Sequence, residues 1–154
     1  MAQADFTSYL DAPIEDFEAP KVPSNGHYFA TVKGWKPGEK SYDGGATKVA
    51  NVSLQFQLDS ADTDVDTTGL TDKDIRAAFV SRDFDISGSQ PKQYVIRAIA
   101  ENAMKLPTKG LTLQDTLNAM KGQPCKVYIE QRTYTAKDGE QRTTADVKNV
   151  LPAD

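Results

Sequence analysis

The 154-residue sequence predicts a mainly β fold: a five-stranded Greek-key barrel with a helical insertion between its third and fourth strands. Three observations predict it. Residues 51–58 alternate polar and apolar without interruption, residues 125–151 form two further alternating runs around Lys137-Asp138-Gly139, and residues 90–122 between them carry apolar side chains at helical spacing. Strand side chains alternate faces with a period of two, whereas helical ones recur every three or four residues.

Taken in order, residues 1–25 read as an acidic arm punctuated by Pro13, Pro20 and Pro23, and residues 26–154 as the barrel domain. Within the arm, Tyr9-Leu10 and Phe17 are candidate anchors. The turn signal Asn25-Gly26 opens the first strand, with Tyr28, Ala30 and Val32 on one face and Phe29, Thr31, Lys33 and Trp35 on the other. Gly34 would permit the bend of a long first strand. Pro37-Gly38 and Asp43-Gly44-Gly45 mark a loop carrying Lys36, Lys40 and Tyr42. In the second strand Val52, Leu54, Phe56 and Leu58 are apolar, and Asn51, Ser53, Gln55 and Gln57 between them are polar and uncharged.

Residues 59–74 read as an acidic loop, and the third strand covers about Ala77 to Ile86. Val80, Arg82, Phe84 and Ile86 oppose Phe79, Ser81, Asp83 and Asp85, an alternation too imperfect to fix the inward face. A helix follows from about Gln90 to Leu106, with Pro91 in its first turn and Pro107 at its end. A short second helix starts at Thr112, with Asp115 in a capping-box position; Leu113, Leu117 and Met120 form its stripe and Gly122 closes it. In the last hairpin Cys125, Val127 and Ile129 share the core face with Ala145 and Val147, while Lys126, Tyr128, Arg132 and Tyr134 share the outer one. Strand, strand, strand, helix, strand, strand is the order of an OB-fold, a five-stranded partly open barrel.

Composition bounds the function. Charged residues at 26% and hydrophobic ones at 38% suit a soluble globular domain, and no run approaches the roughly 18 apolar residues of a membrane span. The N-terminus has neither a basic region nor an apolar core, so no secretion signal is expected and the reading is cytoplasmic. The single cysteine, Cys125, reads as a small core residue with no thiol partner. The net charge of −4 is unevenly spread: residues 1–20 and residues 59–74 each contribute −5, and the rest holds 11 acids against 17 bases. The folded body is therefore basic.

Motifs for other chemistry fall short. Asp62, Asp64 and Asp66 begin like a calcium loop, but Thr67 and Lys73 stand where glycine and glutamate are required, which leaves a solvated or flexible loop. Asp83 and Asp85 share a strand face, as paired carboxylates do in metal nucleases, yet no further residue completes a site. His27 sits at a turn with no nucleophile to serve, and Asp43-Gly44-Gly45-Ala46 lacks the lysine and helix of a phosphate loop. No catalytic residue, metal or cofactor is expected.

Outward positions give a set that mixes rings and cations: Phe29, Lys33, Trp35, Lys126, Tyr128, Arg132 and Tyr134, with Arg142 on the facing strand and Lys36, Lys40 and Tyr42 on the first loop. Surfaces that grip single-stranded nucleic acid need this mixture, because cations track phosphates and flat rings stack on bases. Trp35, Tyr128 and Tyr134 are the expected stacking platforms, and Lys33, Lys36, Lys40, Arg132 and Arg142 the expected phosphate contacts.

The chain resembles the small OB-fold single-stranded DNA-binding proteins of bacteriophages. The resemblance lies in V-P-S-N-G-H-Y-F-A-T-V at 22–32, N-V-S-L-Q-F-Q-L at 51–58, the helical insertion, and L-N-A-M-K-G-Q-P-C-K-V-Y-I-E at 117–130 leading to A-K-D-G-E and N-V-L-P at 149–152. It implies non-sequence-specific protection of exposed strands in phage replication or recombination. Many single-strand binders end in an acidic tail that recruits partners, whereas this chain ends Leu151-Pro152-Ala153-Asp154. Its acid lies in the arm and the 59–74 loop, the expected contacts for replication or recombination proteins.

The expected partner is thus single-stranded DNA, with RNA and a homo-oligomer also open. Two other readings stand beside this one: a structural or adaptor module making protein contacts, as in a virion, and a magnesium nuclease around Asp83 and Asp85.

Overall fold

The computed structural model describes residues 10, 21–41 and 47–153. Most of the acidic arm, and Tyr42 of the first loop, lie outside the described residues. Five strands, β1 (Gly26–Ser41), β2 (Lys48–Ala61), β3 (Phe79–Asp85), β4 (Pro124–Thr135) and β5 (Gln141–Leu151), form one antiparallel sheet in the order β3-β2-β1-β4-β5. Helix α1 (Asp72–Ala77) precedes β3, and helices α2 (Gln93–Ala98) and α3 (Leu113–Met120) lie between β3 and β4. The fold is the expected OB-like one. The sheet curls until β3 and β5 approach within 8 Å between Cα atoms, yet no ladder joins them.

The alternation read from the sequence sets the core. Tyr28, Ala30 and Val32 of β1, Val52, Leu54, Phe56 and Leu58 of β2, and Cys125, Val127 and Ile129 of β4 are all buried. Ile96 of α2 and Leu117 and Met120 of α3 close the cluster from the helical side. Burial pushes the Cys125 thiol up to about 12, so it is an inert core group. The third strand, whose inward face was ambiguous, buries Val80 and Phe84. In β5 a register shift opposite Tyr128 and Ile129 leaves Lys148 without an opposite residue, so that Val147 and Val150 both turn inward.

Four expectations are corrected. β1 continues through Pro37-Gly38 to Ser41, paired with Lys48–Val52, so Lys36 and Lys40 are strand residues and the loop is short. Here β1 has a partner on one side only, the edge setting in which proline is tolerated in a strand. The acidic stretch is neither all loop nor merely solvated: β2 runs to Ala61, and Thr71 caps α1 through a full capping box with Asp74. Thr71-x-x-Asp74 is the same signal that Thr112-x-x-Asp115 gives for α3, and the buried Ile75 is its single core residue. The long helix is shorter than its periodicity suggested. Six α-helical residues pass into π-helical Ile99–Ala103, and Lys105 then takes a left-handed φ of 56° ahead of the restricted position before Pro107. Lastly, the outward rings and cations do not share one wall.

Candidate nucleic-acid interface

The open seam between β3 and β5 forms a cleft of about 590 Å³ with mainly polar walls. Lys40, Arg82, Arg132 and Lys148 line it, together with Asp83 and Asp146. Four strands supply the cations. Lys40 comes from the extended end of β1 and Arg132 from β4. Arg82 lies on the inward side of β3 between Val80 and Phe84, and the bulged Lys148 comes from β5.

Arg82 accounts for both the cleft and the missing ladder. Its guanidinium lies 5.0 Å from the Phe84 ring centre and, among the described residues, makes no hydrogen bond or ion pair. Partial burial holds its pKa below the ordinary arginine value. Zipping β3 to β5 would bury this charge without an acceptor, at a cost that a few ladder bonds would not offset. An inward charge on an edge strand keeps that edge open.

The two nominated cations that line the cleft, Lys40 and Arg132, carry carboxylates. Lys40 Nζ lies 3.1 Å from Asp83 Oδ2, and Arg132 Nε donates to Asp146 Oδ2 at 2.8 Å. The Asp146 carboxylate holds the Arg132 pKa above its usual value. Beyond the cleft the β4–β5 hairpin projects. There the Arg132 guanidinium stacks 5.5 Å from the Tyr134 ring centre, Tyr134 is 40% exposed, and Arg142 donates to Asp138 Oδ2 at 2.7 Å. Tyr134 and Arg142 line a second hollow at the hairpin tip. Lys36 stands beside Gln55 and Ser81 on the neighbouring wall.

Phe29, Lys126 and Tyr128 come together elsewhere, on the outer side of β1 and β4. Lys126 Nζ sits 4.9 Å from the Phe29 ring centre, and Tyr128 packs against His27 at 4.9 Å. This face is strapped by the acidic segment after β2. Lys126 Nζ is 2.8 Å from Asp62 Oδ2, Thr31 Oγ1 donates to Asp59 at 2.7 Å, and His27 donates its backbone N–H to Asp64 at 3.0 Å while its ring Nδ1 lies 2.7 Å from the same carboxylate. Asp62 N also donates to His27 O at 2.9 Å. Hydrogen bonds from Lys126 and from His27 hold Asp62 and Asp64 respectively below the usual carboxylate range. The aspartates that resembled a calcium loop are thus bound to other partners, Asp66 to Thr68.

Trp35 is not a free platform. Its ring packs on the core, and Nε1 donates to Asn118 Oδ1 on α3 at 3.0 Å, fastening that helix to β1. Lys33 falls at the register shift of β1 and is exposed. Among the described residues no three metal-ligating side chains converge, and Asp83 pairs with Lys40. No described helix is long and apolar enough to cross a membrane. A further cavity of about 560 Å³ lies between α2 and residues 108–113, with exposed Tyr94 and Leu111 at its rim.

Sequence reasoning missed Arg82, Lys148 and Asp146, and read Asp83 only as half of a carboxylate pair with Asp85. Arg82 did give a signal, a charge on the apolar register of a strand, which reads as imperfect alternation until the seam is known. Lys148 gave none, since a bulge depends on the partner strand.

The chain matches no protein-family model and no curated protein. Among solved structures, yeast RPA bound to ssDNA is similar over 100% of this chain and 90% of that one, at 11% identity and a TM-score of 0.35.

Proposed function

We propose that this protein binds single-stranded DNA without sequence preference and serves phage replication or recombination, with no catalytic role. The observation that carries this reading is the seam cleft, where four strands aim Lys40, Arg82, Arg132 and Lys148 at one open channel. The channel tracks a phosphate backbone, and Tyr134 on the projecting hairpin offers a ring to a base. Cations on long side chains follow phosphates and not base edges, so affinity is electrostatic with stacking added. Of the three rings expected as stacking platforms, this reading keeps Tyr134 and releases Trp35 and Tyr128, which are engaged in packing.

The test is the anisotropy of a labelled oligo-dT across a salt series. Four phosphate contacts give a slope of log affinity against log salt of about −3 for a single strand. Arg82→Gln lowers affinity about tenfold with the fold unchanged by circular dichroism, while duplex DNA of equal length binds more weakly. A slope near zero, or an Arg82→Gln variant that binds as the wild type does, overturns the reading.

A further inference from the structure

The cleft holds carboxylates where an intruding phosphate would sit. Lys40 faces Asp83 on one wall and Arg132 faces Asp146 on the other, and both aspartates line the same channel as Arg82 and Lys148. Each of these carboxylates is held through its side chain alone, with no backbone N–H donating to it among the described residues. Asp64 in the strap, by contrast, accepts from a backbone N–H and a ring nitrogen together. The cleft aspartates sit on partly exposed strands and can swing away, whereas the strap aspartate cannot.

We propose that Asp83 and Asp146 are built-in phosphate surrogates that make the cleft selective for polymeric over monomeric nucleotides. The inference rests on the reading of the cleft as the polynucleotide site and adds the rule by which that site chooses its ligand. A lone phosphate that takes Lys40 or Arg132 evicts an aspartate. One anion replaces another on the same cation, and the freed carboxylate stays nearby to repel the newcomer. Little is gained, and the ligand's translational freedom is lost for that small return. A polynucleotide makes both exchanges and also reaches Arg82 and Lys148. It loses translational freedom once for all contacts and sheds condensed counterions from its own backbone. The pairs therefore filter out free nucleotides, with Arg82 as the uncompensated anchor on which a strand first lands.

The test compares the wild-type chain with the Asp83→Asn/Asp146→Asn variant. A labelled oligo-dT longer than the roughly 4–16 nucleotides one OB-fold covers is the probe, and thymidine monophosphate the competitor. The variant binds the oligomer about tenfold tighter at the same salt. Millimolar thymidine monophosphate displaces the oligomer from the variant and leaves the wild-type complex intact. If the double variant does not fold, each single variant shows the same direction with a smaller gain. Equal or weaker oligomer binding by a folded variant means that the carboxylates position their cations and overturns the inference while the proposed function stands. Displacement by the mononucleotide from the wild type overturns it too. Failure of both proteins to bind oligo-dT at low salt overturns the function along with it.

Discussion

The strapped face of β1 and β4 and the seam between β3 and β5 contain the same ingredients, and only one of them is an open site. Each brings lysine or arginine, aspartate and an aromatic ring into contact: Lys126, Asp62 and Phe29 on the strap, Arg132, Asp146 and Tyr134 at the seam. The difference lies in what else fixes the acids. On the strap, backbone bonds between residues 62–64 and His27 nail the segment down, so its carboxylates are permanent counter-charges. At the seam, among the described residues, the carboxylates hang on side chains alone and Arg82 has no carboxylate partner. Charge and ring content therefore do not identify a binding surface. Under the proposed function, the backbone attachment of the counter-charge does.

The largest effect expected from breaking this contrast comes at Gly26. Its φ is 137°, and a Cβ there would fall 2.7 Å from Val65 Cγ2 in the strap. Gly26→Ala destabilises the fold by about 1–3 kcal/mol from backbone strain, with the clash in addition. Urea denaturation measures this, and the folded fraction binds oligo-dT as the wild type does, because the proposed site is the seam and not the strap. A loss of affinity in excess of the loss of fold would join the two regions that the comparison separates.

Next in size is a pair of tyrosines on β4, Tyr134 beside the seam and Tyr128 on the strapped face. Tyr134→Ala removes a stacking platform and weakens oligo-dT binding by about 1–3 kcal/mol while unfolding is unchanged. Tyr128→Ala removes a ring packed on His27 and lowers stability with affinity unchanged. Anisotropy titrations and urea curves on both variants check the crossed pattern, and the reverse pattern would exchange the roles of the two faces.

How far the fold was legible follows the range of the forces involved. The alternation of β2 and β4, the capping box at Thr112 and the turn at Gly139 are local, and the sequence states them directly. The extension of β1 through Pro37-Gly38 depends on β2 pairing with it, and proline and glycine argued locally for a loop. The seam is less local still. Arg82 becomes informative only when β5 curls round to face it, and Lys148 only when β4 forces a bulge. Of the eleven nominated residues the cleft receives Lys40 and Arg132, and the adjoining hairpin tip holds Tyr134 and Arg142. Strand parity placed Phe29, Lys126 and Tyr128 outward, but parity does not say what folds over an outward face.

A smaller effect is expected from acid. In the folded protein, hydrogen bonds from Lys126 and from His27 hold the Asp62 and Asp64 carboxyls below the usual carboxylate range. Depressed carboxylates contribute stability that is fully present above the unfolded pKa and is lost as pH falls through the folded one. Urea midpoints should therefore hold from neutral pH down to about 4 and decline below it. The Asp62→Asn/Asp64→Asn variant starts from a lower midpoint and shows a flatter decline. An equally steep decline in that variant would place the acid sensitivity outside the strap.

The smallest expected effect is a null one at Trp35, and it separates the rings that pack from the ring that can stack. Trp35 is the single tryptophan of the chain, so its emission reports one place. Its ring sits on the core with Nε1 bound to Asn118, on the side of β1 that carries α3. Saturating oligo-dT should change its emission little, whereas urea should shift it to the red as α3 leaves the barrel. Trp35→Phe loses one neutral hydrogen bond, about 0.5–1.5 kcal/mol of stability, and binds oligo-dT within about twofold of the wild type. A strong quench reversed by salt would instead put the nucleic acid against β1 and α3. The strand would then follow the ring-bearing wall inferred from the sequence, and the seam would be only a gap in the barrel.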